Sequence, residues 1–352
     1  MTVAPGGVGK SSLTIVEALA LATGRSLLHE APHQRARTWL WNGEDPKDEL
    51  QRRFIAAAKH HAVQKEELDG WLFVDSGRDT ELVLVTQTKD GVKIAEPVFD
   101  AVVEQIRSKA IDVFVVDPFI SSHAVLENDN GAIDRVAKTW AKIADLTGCA
   151  VHLVHHARKT HGEAISIEDA RGAVALISAA RVARTLNAMS DKEAIDAGVE
   201  KRFRHFKSED GKANLAPRSE RANWHQIVNV PLGNGGFGAD GDFVGVVACW
   251  KWPDPTADVS VADLIAVQEA LGEEEWRENS QARQWVGVPM GEVLGINVSD
   301  RPGKARISAL LRRWMSDGWF ELYTMTDAKG MSRPCIRVGK RAEQMPPTPL
   351  HE

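Results

Sequence analysis

The sequence predicts an α/β protein: a parallel sheet with helices on both faces, an antiparallel extension, and a small separate module towards the C-terminal end. Three observations predict it. Apolar β-rich runs alternate with helical patterns through the first two-thirds of the chain. A glycine-rich stretch ending in Lys-Ser opens straight into a helical run near the start. The charge then swings sharply: eight acidic and two basic residues from Ser260 to Asp300, ten basic and three acidic from Arg301 to Arg341. A swing of that size marks one element with two faces or an acidic helix leading into a basic module.

Bulk composition bounds the rest. A chain of 352 residues suits two domains, and 43% hydrophobic with 26% charged residues is a globular mix that excludes disorder. No run approaches the roughly 18 apolar residues of a membrane span, and no secretory signal opens the chain, so a cytoplasmic protein is expected. Cys149, Cys249 and Cys335 are far apart, which excludes a disulfide scaffold and a zinc finger. A net charge of -6 excludes a wholly basic nucleic-acid coat protein and leaves room for a local basic patch.

In order, strands are expected at Thr38–Trp41, Trp71–Val74, Val113–Val116 and Val151–Val154. Helices are expected at Lys10–Thr23, Asp48–Lys59, Val98–Lys109 and Ala132–Thr147. Strand, long helix, strand is the βαβ pattern of a sheet buried on both faces. From Arg181 the runs shorten. Arg181–Leu186, Arg202–Lys207, Gln226–Pro231 and Phe243–Cys249 are separated by Gly, Asn and Asp turns, as in an antiparallel extension. Domain limits follow at 1–250, with a linker at 251–259 around two prolines, a module at 260–340 and a disordered tail at 341–352.

The strongest local signal is Ala4-Pro5-Gly6-Gly7-Val8-Gly9-Lys10-Ser11-Ser12. Gly6, Gly7, Val8, Gly9, Lys10, Ser11 and Ser12 supply inward-turned backbone amides, a lysine for the β- and γ-phosphates, a hydroxyl for Mg²⁺, and a helix N-terminus beneath the anion. Ala4 stands where the loop pattern has its first glycine. Only Met1–Val3 precede the loop, so the strand feeding it is expected to be clipped or to begin upstream of the recorded start.

Asp117 ends a buried-strand pattern and is expected to hold Mg²⁺ with Ser11. Thr38–Trp41 runs into Asn42-Gly43-Glu44-Asp45-Pro46. Glu44 is expected to orient the attacking water, and Asp45 to cap the next helix with Pro46 at its first position. Val151–Val154 ends in His155-His156, and His155 is expected to sense the γ-phosphate at the sheet edge.

With these motifs in this order, the chain resembles the RecA-like P-loop ATPases, and among them the plasmid RepA-type hexameric replicative helicases, a group with many phage and plasmid ATPases. The resemblance covers roughly residues 1–250 and rests on APGGVGKSS, WNGE, FVVDP, VHHARK and Arg171-Gly172-Ala173 with Ile177–Arg184. It implies an ATP-hydrolysing enzyme with Mg²⁺, a RecA-like core, Glu44 as catalytic base, and roles for His155 and His156. It also implies single-stranded DNA contacts from Arg158–Arg171 in the pore of a ring. A basic residue reaching the neighbouring subunit's nucleotide is implied as well, with Arg181 or Arg184 and Lys207 or Lys212 as candidates.

Residues 261–338 resemble a winged helix-turn-helix. Ile307, Leu310, Leu311, Trp314 and Met315 form one apolar stripe, while Lys304, Arg306, Arg312 and Arg313 lie off it, with Lys329 and Arg333 on the wing. Duplex DNA is a candidate partner there, and a protein-docking module is the alternative. The expected function is an ATP-driven DNA motor. An ATP-dependent DNA-binding switch without unwinding is the second reading, and a degenerate, inactive ATPase, suggested by Ala4 and the clipped first strand, is the third.

Overall fold

The computed structural model describes residues 1–157, 163–169, 174–214, 217, 219, 221–236, 241–272, 274–326 and 330–342. In chain order its elements are β1 (Thr2–Ala4), α1 (Lys10–Thr23), β2 (Thr38–Asn42), α2 (Lys47–His60), β3 (Leu72–Ser76), β4 (Val85–Thr88), β5 (Gly91–Ile94), α3 (Glu96–Ser108), β6 (Val113–Asp117), β7 (His123–Ala124), α4 (Asn130–Thr147) and β8 (Ala150–His156). There follow α5 (Val174–Ala179), β9 (Val182–Ala188), α6 (Asp191–Asp196), β10 (His205–Ala213), β11 (Asn223–Pro231), β12 (Phe243–Cys249), α7 (Val261–Leu271), β13 (Trp276–Arg277), α8 (Gly287–Leu294), α9 (Arg301–Ser316), β14 (Phe320–Thr326) and β15 (Ser332–Val338).

The chain divides into two compact units. The first is Met1–Ala188 with Phe203–Lys251, the second Met189–Arg202 with Trp252–Glu352. The sequence reading kept the short Met189–Arg202 segment, which carries α6, in the first domain. The structure gathers it with the C-terminal residues.

The first unit is built on a nine-stranded sheet in the order β12-β11-β10-β9-β1-β8-β6-β2-β3. Strands β9, β1, β8, β6, β2 and β3 run parallel, and β10, β11 and β12 continue antiparallel. The phosphate-loop strand is thus central and separated from the Asp117 strand by β8. Alternation along each strand feeds two cores. Trp39, Trp41, Phe114, Val116 and Leu153 join the α3–α4 cluster, where Phe99, Val102, Ile106, Ile133, Val136 and Trp140 meet them. Leu40, Val115 and Val154 join the cluster under α1 and α2. The first strand has three residues, all buried and paired on both sides. A strand this short holds because its two neighbours supply its hydrogen bonds. A small sheet of β5, β4 and β7 lies in the stretch where sequence periodicity gave no element.

The second unit contains α6, α7, α8, α9 and a three-stranded sheet in the order β13-β15-β14. Its core is the expected stripe, Ile307, Leu310, Leu311 and Trp314 with Met315 at its edge, closed by Leu264, Val267, Trp285, Met290 and Phe320. The winged-helix reading expects two helices before Arg306–Trp319, and the second is α8, whose bounds the sequence does not give: it is eight residues long with glycine at two positions, too short for a periodic signal. Of the basic residues off the stripe, Arg306 bonds the carbonyls of Pro255 and Ala257, Arg312 pairs with Asp196 at 3.2 Å, and Arg313 pairs with Asp317 at 3.1 Å. Lys329 and most of the tail lie outside the described residues. No helix among the described residues is long and apolar enough to cross a membrane.

Candidate functional site at the phosphate loop

Strand register assembles the site. Ala4 pairs with His156 and Asn42 with Asp117, so the ends of β1, β8, β2 and β6 stand in one row. The loop leaves β1 after Ala4, whose carbonyl accepts the Ala157 amide at 2.9 Å. The alanine in the first glycine's place is therefore an ordinary buried strand residue. Gly9 caps α1 with φ +104°, and a Cβ there would stand 3.2 Å from Ile227 Cδ1 and 3.3 Å from Phe206 Cε1. Both the backbone angle and the close packing require glycine.

A second close approach sets Glu44. The Gly43 amide donates to Asp117 O at 2.8 Å, and a Cβ on Gly43 would sit 2.4 Å from Ser121 Cβ. This clamps the end of β2 to the end of β6. Asn42 Oδ1 then accepts the amides of Glu44 and Asp45 at 2.9 and 2.7 Å, turning the chain so that Glu44 faces the loop. Asp45 makes no cap. Helix α2 starts at Lys47 after Pro46 without a side-chain cap, and Asp45 pairs with Arg53 at 3.1 Å. An arginine two turns into the helix draws the carboxylate away from the helix end.

Charge converges on Lys10. Its ammonium, mostly buried, lies 3.7 Å from Asp117 Oδ1 and 3.9 Å from Glu44 Oε2. Asp117 is 1% exposed, and both its oxygens lack a hydrogen-bond partner among the described residues. Burial pushes its carboxyl above the usual carboxylate range, opposed first by the Lys10 ammonium and then by the nearby Ser11 hydroxyl. A buried carboxylate with both oxygens free, beside a loop serine, fits a hard cation that takes one or two protein oxygens and completes its shell elsewhere, which is the habit of Mg²⁺. No group of three or more His, Cys, Asp or Glu among the described residues could hold a metal, so the site does not fit zinc.

The two histidines part company. His156 Nε2 stands 3.7 Å from Glu44 Oε1, whereas His155 is 2% exposed and packs edge-on against Phe119 at 5.5 Å. His156 shares the face of Val154, beside α1; His155 shares the face of Leu153, with the α3–α4 core. The structure thus brings His156 to the site, in place of the expected His155.

The basic residues weighed for a role in a neighbouring subunit are engaged within their own chain, with one exception. Arg184 makes two bonds to Glu17, at 2.5 and 2.6 Å, and a third to Thr2 Oγ1 at 2.9 Å. The Glu17 carboxylate outweighs the cost of burial and holds the guanidinium charged. Lys207 pairs with Glu209 at 3.1 Å, and Lys212 Nζ donates to the carbonyls of Ile177 and Ser178 at the end of α5. Arg181 is exposed. Half of the loop assigned to DNA, 158–162 and 170–171, lies outside the described residues.

The loop and its carboxylates line a cavity of about 800 Å³ with Arg52, Arg53, Asp242 and Phe243. Residues 1–162 match the family model described as an AAA domain. That match contains the loop, Glu44, Asp117 and both histidines, and ends before the antiparallel strands. Among solved structures, one ATPase domain is similar at 13% identity over 70% of this chain and 83% of that one, with a TM-score of 0.45. The RadB recombinase is similar at 13% identity over 64% and 86%, with a TM-score of 0.41. Likenesses this distant add nothing to what the geometry says of the site.

Proposed function

We propose that this chain is a Mg²⁺-dependent ATP hydrolase whose turnover drives action on DNA. One observation carries the hydrolase: the buried Asp117 carboxylate, without a hydrogen-bond partner among the described residues, held 3.7 Å from the loop lysine, with Glu44 across that same ammonium. The amides of Gly6–Ser12 and the start of α1 receive the phosphates. Lys10 leaves its two carboxylates for the β- and γ-phosphates and neutralises them. Ser11 and Asp117 would hold Mg²⁺, which when bound offsets the charge on the phosphate oxygens. Glu44, half-exposed at the cavity, orients water towards the γ-phosphate and takes its proton. His156, on the other side of Glu44, fixes where that carboxylate points and so links the site to the segment after β8.

The finer reading rests on the family resemblance: a RepA-type, ring-forming, hexameric helicase moving on single-stranded DNA, with the winged-helix-like unit holding duplex. In it Arg181 is the basic candidate for the neighbouring subunit's nucleotide, because it is exposed while Arg184, Lys207 and Lys212 have partners of their own. The decisive experiment measures ATP hydrolysis with and without single-stranded DNA, together with strand displacement. DNA-stimulated hydrolysis with displacement supports the motor. Stimulation without displacement supports the switch. No hydrolysis in the wild type removes both.

A further inference from the structure

The second unit carries a helix that its own fold does not need. Helix α6 comes from the segment between β9 and β10, whereas α7 to β15 form one continuous stretch of chain. Among the described residues, the core of that stretch is drawn wholly from positions 259–342. Helix α6 is thus added from outside that core, and it lies on α9. The fit is close. Gly198, just past the end of α6, has φ +68°, and a Cβ there would stand 2.7 Å from Pro302 Cα and 3.2 Å from Ala305 Cβ. Asp196, the last residue of α6, pairs with Arg312 at 3.2 Å.

The covered residues form one stripe. Arg301, Lys304, Ala305, Ser308 and Arg312 follow the spacing of a single helix face, roughly 130° round α9 from Ile307, Leu310, Leu311 and Trp314. With Asp196 they line a cavity of about 420 Å³ whose walls all belong to the second unit. Its charges do not balance. Arg301, Lys304 and Arg312 face one carboxylate, Asp196, among the described lining residues. Arg301 and Lys304 have no ion-pair partner among the described residues. Cations spread along about 16 Å of helix outrun a single free anion. A duplex strand carries a phosphate about every 3.4 Å of its axis, so a nucleic-acid backbone supplies a matching row.

We propose, on the reading that this chain acts on DNA, that α6 is a removable cover over a duplex-binding stripe of α9, with Asp196 occupying on Arg312 the place of a backbone phosphate. The cover and the duplex compete for the same cations. Both ends of the α6 segment run into sheet strands, β9 before it and β10 after it, and β9 pairs with β1, which leads into the phosphate loop. The cover therefore stays tethered when it lifts. Removing the Asp196 charge frees Arg312 for a phosphate and leaves the core of the C-terminal stretch as it is.

Fluorescence anisotropy of a labelled duplex, on the full chain between about 50 and 200 mM salt, tests this with wild type, Asp196→Asn, Arg312→Ala and the double variant. Asp196→Asn binds duplex roughly 5-fold more tightly at the low-salt end, and its log affinity falls with log salt more steeply by about 0.9, the slope of one added phosphate contact. Arg312→Ala changes little alone, because the guanidinium is already held, and it removes the gain in the Asp196→Asn background. Hydrogen exchange gives an independent readout: amides of residues 189–202 in the wild type exchange faster when duplex is added, as a lifted cover exposes them. Inorganic phosphate at the duplex's own phosphate concentration leaves the duplex bound; displacement would make this a free-anion site and overturn the backbone assignment. Equal affinity and slope in wild type and Asp196→Asn, or exchange of 189–202 unchanged or slowed by duplex, overturns the cover and leaves the DNA reading standing. If neither the wild type nor any variant binds duplex at any salt, the DNA reading falls, and the cover with it.

Discussion

Helix α1 has a cluster of charge at its N-terminal end and another at its middle, and the two clusters are solved in opposite ways. At its N-terminal end, Asp117 is buried with both oxygens unpartnered among the described residues, and Lys10 is shared loosely between two carboxylates at 3.7 and 3.9 Å. Further along, Glu17 and Arg184 form a two-pronged pair at 2.5 and 2.6 Å, tied to Thr2, beside a separate cavity of about 470 Å³. Charges that are fully matched within the chain hold the fold together. Charges left short of partners inside a cavity are poised for something that arrives. The same helix thus carries a finished bond and an unfinished one.

Four changes sharpen or break that contrast. The largest effect is expected from Lys10→Ala, which removes the cation at the unfinished end: ATP turnover falls by about 10³-fold or more. Turnover near wild type in a coupled ATPase assay would undo the assignment of the loop. Glu44→Gln comes next. It keeps nucleotide affinity in an equilibrium binding assay while turnover drops by roughly 10²-fold. Normal turnover in this variant would move the base elsewhere, with His156 the nearest neighbour to examine.

Arg184→Ala acts at the finished pair, so its cost is in stability. Removing one partner strands the Glu17 carboxylate, at a cost of about 2 kcal/mol for a pair that is roughly a quarter exposed. A lower denaturant midpoint with turnover per folded molecule unchanged is the expected result. Loss of turnover without loss of stability would return Arg184 to the candidates for a role across a subunit interface.

The fourth change is in pH. His225 and His123 are buried and neutral; burial pulls their pKa down to about 3 and about 4, with His29 and Arg184 adding to the first and His155 to the second. Below pH 6.5 the unfolded chain binds protons that the folded chain refuses. Stability therefore falls as pH drops from about 6.5 towards those values, by roughly a few kcal/mol. Denaturant midpoints at pH 7 and pH 4.5 measure it. His225→Gln flattens the difference, and an unchanged slope in that variant would assign the dependence to other groups.

Much of the nucleotide end was legible in the sequence because its parts are local. The loop, the Asp117 strand and the turn at Gly43-Glu44 each lie within a few residues, and a buried strand ending in Asp advertises itself. The choice between His155 and His156 was legible too. Period-2 alternation from Val154 puts His156 on the α1 face, and counting along the strand would have found it. The Glu17–Arg184 pair was not legible, because 167 residues separate its halves and neither sits in a motif. Asp45 misled for a related reason. Asp-Pro before a helix is a sound cap signal, but Arg53 competes for the carboxylate from the same helix. The small β5-β4-β7 sheet and the bounds of α8 stayed hidden because runs of two to eight residues carry no period.

The packing of Gly9 against Phe206 has an optical consequence. A ring that touches the turn of the phosphate loop on one side also stacks on the His225 imidazole at 5.0 Å on the other. Any movement of that turn displaces an aromatic side chain whose surroundings are otherwise fixed in a core. An indole at position 206 would stand between a backbone that adjusts to its cargo and the imidazole of His225 packed against it. Phe206→Trp, read against a variant in which the eleven native tryptophans have been replaced, turns the loop into its own light source, and its emission would register the arrival of a triphosphate before any bond is broken.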